Sequence, residues 1–248
     1  MSKSIWITGA SSGIGKALAI KFANEGWIVA ASARRENLLQ ELDRENPNIY
    51  SFPLDVNNEP NTKKVFQEII EKCKKIDICV FSTGMHDPES EKKLNGEKIR
   101  EIMETNFFGT VNCIMAVNKY FRENKNGHIS IVSSVAGYRG LPAAAGYCAS
   151  KSALISLAES LHSDFLRFNV KISLISPGFI KTPMTDQNTF PMPMIKSPEY
   201  AAKKIFTGLT KKNVFEIHFP WTLTIMMKLL RIMPNWLYLL IARKLIKS

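Results

Sequence analysis

Tyr147 and Lys151 stand four residues apart in a segment whose pattern predicts a helix over 146–168. That spacing places both side chains on one helix face, so an ammonium group would lie near a phenol. A tyrosine has an ordinary pKa of about 10, and a neighbouring positive charge favours its phenolate. The pair could therefore exchange a proton with a substrate oxygen, and an ordinary surface pair is the alternative.

Ser134 follows a predicted strand over 128–133 and precedes Tyr147 by 13 residues. Ligands of an open parallel sheet bind beyond the carboxyl ends of its strands. We therefore expect the Ser134 hydroxyl beside Tyr147, where it could hydrogen-bond a substrate oxygen. The alternative is that this serine only caps a turn.

A glycine-rich turn connects a predicted strand over 4–8 to a predicted helix over 13–25. Glycines in that context let the backbone approach a pyrophosphate closely, and the helix N-terminus offers free N–H groups. A turn without a ligand is the alternative. The residues expected at the phosphates are Gly9, Ser11, Ser12, Gly13, Ile14 and Gly15.

The elements that would position these residues alternate along the chain. Strands are predicted at 4–8, 28–33, 49–54, 77–82, 128–133, 171–176 and 214–217, and helices at 13–25, 36–45, 59–74, 96–124, 146–168 and 198–210. Apolar strands between helices indicate a parallel sheet covered on both faces. We therefore expect an α/β fold: a single doubly wound Rossmann-type domain over 1–218, with a mostly parallel seven-stranded sheet.

The end of the second predicted strand indicates which dinucleotide would bind. An acidic residue there bonds the adenosine ribose, but this chain has Ala33 followed by Arg34 and Arg35. A guanidinium pairs with a 2′-phosphate, which a carboxylate would repel. The sequence therefore favours NADP(H) over NAD(H), with Arg34 as the main phosphate ligand and Arg35 as a helper. An exposed arginine pair near Glu36 is the alternative.

The chain resembles the classical short-chain dehydrogenase/reductase family over roughly residues 4–210. The resemblance rests on the glycine turn, with its spacing G-x-x-x-G-x-G, and on Ser134, Gly137 and the segment Tyr147-Cys148-Ala149-Ser150-Lys151. The resemblance implies that Asn106 completes the catalytic set. Its helix would be distorted there and hold a water that links Lys151 to solvent. Alternatively, Asn106 makes a polar contact between helices.

The resemblance also implies further cofactor contacts. Asp55 would bond the adenine amino group and the Val56 N–H the ring, while Lys151 would hold the ribose hydroxyls. Gly84 would let the backbone pass close to the cofactor. The segment Pro177-Gly178-Phe179-Ile180-Lys181-Thr182 would bond the nicotinamide carboxamide through the backbone at Ile180 and the hydroxyl of Thr182. Asp55 and Thr182 could instead act as caps.

The chain departs from the family at the fourth strand, where Phe81-Ser82-Thr83-Gly84 replaces Asn-Asn-Ala-Gly. The first asparagine of that pattern bridges neighbouring strands, which Phe81 cannot do.

Two further expectations concern the assembly of subunits and the access of substrate. The resemblance implies that helices 96–124 and 146–168 pair with a second subunit in a homodimer or homotetramer, and the Met- and Pro-rich loop 183–197 is expected to cover the substrate.

The C-terminal residues 219–248 are expected to form an apolar, basic helical extension. Two apolar segments, 222–233 and 235–246, flank Pro234, and each is too short to span a bilayer. Such segments fit a membrane interface, and burial against the cleft or a second subunit is the alternative.

Composition excludes several classes of protein. With 45% hydrophobic and 22% charged residues, the chain is not of a disordered or low-complexity type. Its net charge of +11 comes with no nucleic-acid recognition motif, so we expect no nucleic-acid partner. The four cysteines show no C-x-x-C pairing and indicate neither disulfides nor a metal site, and the N-terminus shows no signal peptide. We expect a cytoplasmic protein, with peripheral membrane contact through 219–246 left open.

Together these residues predict an oxidoreductase that moves a hydride between NADP(H) and the carbonyl or secondary alcohol of an apolar substrate, with Tyr147 as general acid/base. The alternative is a non-catalytic NADP(H)-sensing or scaffold protein that binds a partner or membrane through its tail.

Overall fold

The computed structural model describes residues 2–188, 190–212 and 214–247, with side chains described as far as Arg243. Its strands are Ser4–Thr8 (β1), Ile28–Ala33 (β2), Ile49–Pro53 (β3), Ile78–Phe81 (β4), Gly127–Val132 (β5), Val170–Pro177 (β6) and Glu216–Phe219 (β7). Its α-helices are Gly13–Asn24 (α1), Glu36–Glu45 (α2), Glu59–Cys73 (α3), Pro88–Lys92 (α4), Gly96–Met103 (α5), Gly109–Asn124 (α6), Ala145–Leu166 (α7), Pro198–Lys211 (α8), Trp221–Ile232 (α9) and Asn235–Lys247 (α10).

The strands form one sheet in the order β3-β2-β1-β4-β5-β6-β7, and every neighbouring pair is parallel. The expected seven-stranded, doubly wound sheet is confirmed. The chain reverses its direction of winding between β1 and β4. Ligands of such sheets bind at this reversal, beyond the carboxyl ends of the strands.

Helices cover both faces of the sheet because its strands alternate their side chains between two apolar cores. In β1, Ile5 and Ile7 pack with Phe22 of α1, whereas Trp6 points to the other face and lies edge-on to Phe81, with ring centroids 5.5 Å apart. All five of these side chains are essentially inaccessible to solvent. Burial on both faces explains why the central strands lack polar alternation.

Two sequence predictions need correction. The predicted helix 96–124 is α5 and α6, joined by one wide π-helical segment at Glu104–Phe108. The predicted strand 214–217 lies two residues further on, at Glu216–Phe219, because pairing extends until the Phe219 carbonyl accepts a hydrogen bond from the Gly178 N–H at 2.7 Å. The short helix α4 was not predicted.

The C-terminal segments form α9 and α10 on either side of Pro234. Leu223 and Met227 of α9 belong to the core, and Tyr238 of α10 is buried. Within the part of the chain that is described, no helix is both long enough and apolar enough to cross a bilayer.

Candidate active site

A cleft opens at the reversal point of the sheet, between the ends of β1, β2, β3 and β4. Most of the residues expected at a dinucleotide line it: Gly9, Ser11, Ser12, Gly13, Ile14, Gly15, Arg34, Arg35, Asp55, Val56, Gly84 and Thr182. Ser82, Thr83 and Thr105, which were not predicted, also line it. The structure thus gathers into one cleft residues that are spread over much of the sequence.

The glycine turn fits a pyrophosphate. Gly9 has a φ of +70°, and a Cβ at Gly15 would lie 2.3 Å from the Gly9 carbonyl oxygen, so neither position tolerates a side chain without backbone movement. Ser12 precedes α1 without a side-chain cap, which leaves the first N–H groups of the helix for a ligand in the cleft. The residues present therefore fit a dinucleotide.

The two arginines at the cleft differ in their contacts. The Arg35 guanidinium donates to the Ser11 hydroxyl at 2.9 and 3.1 Å and to the Ser12 hydroxyl at 2.6 Å, so it holds the phosphate-binding turn. Arg34 is exposed and, within the described residues, its guanidinium makes no hydrogen bond or ion pair. Glu36 accepts from Gln40 at 3.0 Å rather than from either arginine. Arg34 is therefore available to a phosphate.

Two residues expected at the cofactor also make local turns. The Asp55 carboxylate accepts from the Asn57 N–H at 3.1 Å, and Thr182 accepts through its hydroxyl from the Thr185 N–H at 3.4 Å. Asp55 and Thr182 therefore cap local turns, as the alternatives held, and both also line the cleft. A Cβ at Gly13 would lie 2.9 Å from the Thr182 methyl, so Thr182 faces the glycine turn across the cleft.

The rest of the segment after β6 lies outside the cleft lining. Pro177 is the last residue of β6, and Gly178 lines a neighbouring apolar cavity. Ile180 is buried, and its carbonyl accepts from the Thr185 hydroxyl at 2.7 Å.

The end of β4 is supported by its neighbour β1. The Thr8 hydroxyl accepts from the backbone N–H groups of Ser82 and Thr83 at 3.1 and 3.4 Å, while Phe81 packs on Trp6 in the core. The segment after β4 is therefore held by a hydroxyl of the adjacent strand β1, and Phe81 contributes to the core.

The expected catalytic residues converge at the end of β5. Ser134 follows that strand, and Tyr147 and Lys151 lie in the first turns of α7, with the Lys151 Nζ 5.7 Å from the centre of the Tyr147 ring. The Lys151 ammonium donates to the Val132 carbonyl at 3.0 Å, and the Ser133 hydroxyl donates to the Lys151 carbonyl at 2.7 Å. These two bonds attach the start of α7 to the end of β5.

Burial sets the proton affinities of this pair. It raises the pKa of Tyr147 to about 12, an effect that a hydrogen bond with Ser134 partly offsets. It lowers the pKa of Lys151 to about 8. At neutral pH the tyrosine therefore carries its proton and can donate it, while most of the lysine remains charged beside it.

Asn106 lies in the π-helical segment, so the expected helix distortion is present at this residue. Its buried amide donates to the Met85 carbonyl and to the Ser150 hydroxyl, both at 3.0 Å, and accepts from the Met85 N–H at 2.7 Å. Asn106 thus ties the segment after β4 to α7. The contact between helices, which was the alternative for this residue, is also observed.

A second, apolar cavity adjoins the catalytic residues. Its empty volume is about 560 Å³ including the open mouth. Ser134 and Tyr147 line it with Leu141, Phe179 and Phe190, and the loop over 183–197 contributes Met184, Thr185 and Asn188. This loop also borders the cofactor cleft, and its residue 189 lies outside the described residues.

Sequence reasoning missed Glu91 and His86. The fully buried Glu91 carboxylate accepts from the Gly146 N–H at 2.6 Å and pairs with the His86 Nδ1 at 2.8 Å. The His86 ring lines the apolar cavity with its centroid 4.6 Å from that of Tyr147. Nothing in the local pattern indicates this, since Glu91 stands in a charged run typical of an exposed helix.

Comparisons with known proteins agree with this geometry. A family model described as short chain dehydrogenase matches residues 3–193. An uncharacterized oxidoreductase of Myxococcus xanthus is 34% identical over 243 residues, which cover 96% of each chain. The 3-oxoacyl-(acyl-carrier-protein) reductase FabG of Thermotoga maritima is 31% identical over 185 residues, covering 73% of this chain and 75% of that protein.

Solved structures are similar as well. A short-chain dehydrogenase from Streptomyces avermitilis has a TM-score of 0.82 at 22% identity and covers 92% of both chains. ElxO with NADP bound has a TM-score of 0.78 at 25% identity, covering 90% of this chain and 99% of that one. A Burkholderia phymatum short-chain dehydrogenase/reductase in complex with NAD has a TM-score of 0.79 at 20% identity and covers 92% of both.

Proposed function

We propose that this chain, which belongs to the short-chain dehydrogenase family, is an NADP(H)-dependent reductase of apolar ketones or aldehydes, or a dehydrogenase of the corresponding secondary alcohols. Membership makes it an oxidoreductase that uses a nicotinamide cofactor. The NADP preference, the substrate and the role of Tyr147 are the proposal.

One observation carries it. Tyr147 lines the apolar cavity, whereas the Lys151 Nζ is 3.4 Å from the place that a Cβ of Gly84 would take in the cofactor cleft. Tyr147 and Lys151, on successive turns of α7, therefore lie toward two neighbouring spaces, Tyr147 in the lining of the cavity and the buried Lys151 next to Gly84 of the cleft. A substrate in the apolar cavity and a cofactor in the cleft would meet beside these two residues, which is where the reaction needs a proton donor or acceptor.

When bound, the cofactor supplies or accepts the hydride at nicotinamide C4. The chain supplies the rest. The Ser134 hydroxyl fixes the substrate oxygen, the Tyr147 phenol gives it a proton in reduction or takes one in oxidation, and the Lys151 ammonium stabilises the phenolate. Asn106 holds the Met85 backbone beside them, and from there we expect it to position the water that returns a proton to Lys151.

The substrate proposal rests on the cavity lining. Leu141, Phe179 and Phe190 line the same cavity as Ser134 and Tyr147, so a mostly apolar substrate with its reacting oxygen at these two hydroxyls is the chemistry that fits. The 2′-phosphate proposal rests on Arg34, whose exposed guanidinium lines the cleft and has no hydrogen-bond or ion-pair partner among the described residues.

Assembly and compartment are also proposals. Phe108 and Met115 lie seven residues apart on α6 and its π-helical lead-in and are 48% and 51% exposed, which supports a homo-oligomeric contact through this helix. The four cysteines are buried thiols, which supports a reducing compartment such as the cytoplasm.

Replacing Tyr147 by Phe tests the function. NADPH binding by calorimetry should be unchanged, while turnover of an accepted apolar ketone should fall by more than about a hundredfold, the lower end for general acid–base catalysis. The matched control is Tyr138→Phe, which also removes a buried tyrosine hydroxyl, but one that donates to Glu216. This variant should keep its turnover. Retained turnover in Tyr147→Phe would show that another group is the acid, and a wild type that binds NADPH but turns over none of a panel of apolar ketones would favour a binding role.

A further inference from the structure

The outer face of the two C-terminal helices is an exposed apolar surface, here called the tail surface. It comprises Trp221, Leu229, Ile232, Trp236, Leu239 and Leu240, each between 51% and 79% exposed. Large side chains of this kind normally remain covered, and a contiguous group of them marks an interaction site. The inner face of the same helices is already satisfied by the domain.

Several contacts hold the helices in this orientation. Lys228 of α9 pairs with Glu216, which also accepts from the hydroxyls of Tyr138 and Ser176. The Arg139 guanidinium donates to the side chain of Asn235, the first residue of α10, at 2.7 Å. The tail surface is therefore presented on a fixed scaffold rather than on a loose end.

The charges of the described residues favour one partner. Arg231 of α9 and Arg243 of α10 are exposed, and Glu216, which Lys228 already pairs, is the last acidic residue of the sequence. A two-fold contact between copies of this surface would oppose cations with cations. A bilayer with anionic headgroups instead accepts apolar side chains at its interface and attracts the basic residues around them.

The tail surface continues to the mouth of the substrate cavity. The Thr222 hydroxyl lies 3.1 Å from the Met194 sulfur, which joins α9 to the loop over 183–197. In that loop Phe190 and Met194 are 46% and 48% exposed, and Phe190 also lines the cavity. On the other side, the Tyr238 hydroxyl donates to the Gly140 carbonyl, next to the cavity residue Leu141.

We propose that the tail surface docks the protein on an anionic bilayer, with the cavity mouth at the lipid interface. Resting on the proposed function, this makes the substrate a lipophilic carbonyl or alcohol that reaches Tyr147 from the membrane. Docking itself requires neither substrate nor cofactor, so it can be tested separately from catalysis.

The test is sedimentation of the full-length protein with vesicles of phosphatidylcholine alone or mixed equally with phosphatidylglycerol. We expect binding to the mixed vesicles that weakens with salt, because exposed charges are screened beyond about 10 Å at 0.1 M. Ile232→Glu and Trp236→Glu should each lower the apparent vesicle-binding constant by at least about tenfold, or 1.4 kcal/mol. Leu94→Glu is the matched control, since Leu94 is 70% exposed in the turn between α4 and α5, outside the tail surface, and this variant should bind normally.

Three results would overturn the proposal: no sedimentation of the wild type with mixed vesicles at low salt, normal sedimentation of Ile232→Glu, or an equal loss in Leu94→Glu. If light scattering showed that Ile232→Glu splits a larger assembly while the wild type ignores vesicles, a second copy would be the occupant. Thermal unfolding and NADPH binding of each variant check that the fold is retained.

Discussion

Glu91 accepts a hydrogen bond at 3.2 Å from the backbone N–H of Tyr147, although the two residues lie 56 positions apart. The carboxylate therefore caps the helix that carries the proposed acid, and its charge raises the pKa of the Tyr147 phenol as a minor contribution after burial. Glu91 also pairs with His86, whose side chain lines the apolar cavity. We regard Glu91 as a positioning residue, because it acts on the site through its neighbours.

Glu91→Gln should keep an acceptor at the start of α7 while removing the charge. The pKa of Tyr147 should then fall, so this phenol should ionise at a lower pH than in the wild type. Ultraviolet absorbance of the phenolate against pH, with Tyr147→Phe as the reference, gives this profile separately from the ionisation of Lys151. Glu89→Gln, on the exposed side of α4, is the control and should leave the profile in place. Identical profiles for Glu91→Gln and the wild type would remove the carboxylate from the chemistry.

Replacing Arg34 or Arg35 should have different effects on the binding of NADPH and NADH. Arg34→Ala should weaken NADPH binding by about 1.5–3 kcal/mol, the range for a charged hydrogen bond, and leave NADH binding unchanged. Arg35→Ala should weaken both cofactors, because Arg35 holds Ser11 and Ser12 of the shared phosphate turn. Titration calorimetry with each nucleotide distinguishes the two. Equal loss of NADPH and NADH in Arg34→Ala would contradict its assignment to the 2′-phosphate.

His128 should make the protein less stable in mild acid. Burial lowers its pKa to about 4, and its Nε2 lies 2.8 Å from the Ser173 hydroxyl. The unfolded chain takes up a proton near its ordinary pKa of about 6.5, whereas the folded protein does so only near 4. The stability is therefore complete above about pH 6.5 and declines toward pH 4, by at most about 3 kcal/mol. In denaturant unfolding of His128→Gln, the free energy of unfolding should fall less between pH 6.5 and 4 than in the wild type. An equal fall in both proteins would show that the pKa of His128 is the same in the folded and unfolded states.

The proposed contact between subunits can be tested on α6. Met115→Lys places a charge on the exposed apolar face and should shift the wild-type oligomer toward monomer in light scattering at micromolar concentration. Leu94→Lys introduces the same charge at another exposed leucine and should leave the assembly intact. A wild type that is already monomeric would rule out this contact.

The parts of the site that could be predicted from the sequence lie within a single strand–turn–helix segment. The glycine turn and the Tyr147–Lys151 pair depend on local spacing, and a parallel sheet brings such ends together. The contacts of Glu91, and of Thr8 with Ser82 and Thr83, join distant segments whose register is known only once the strands are paired. The shift of β7 has the same origin, because pairing with β6 decides where that strand ends.

The hydrogen bonds that Thr8 accepts also bear on the cofactor cleft. Its hydroxyl holds the N–H groups of Ser82 and Thr83, and both of these residues line the cleft beside Gly84. Thr8 ends β1 immediately before Gly9, so one side chain couples the position of the glycine turn to that of the segment after β4. Replacing Thr8 by Val would keep the size of the side chain while removing the acceptor, and the two sides of the cleft would lose this common contact.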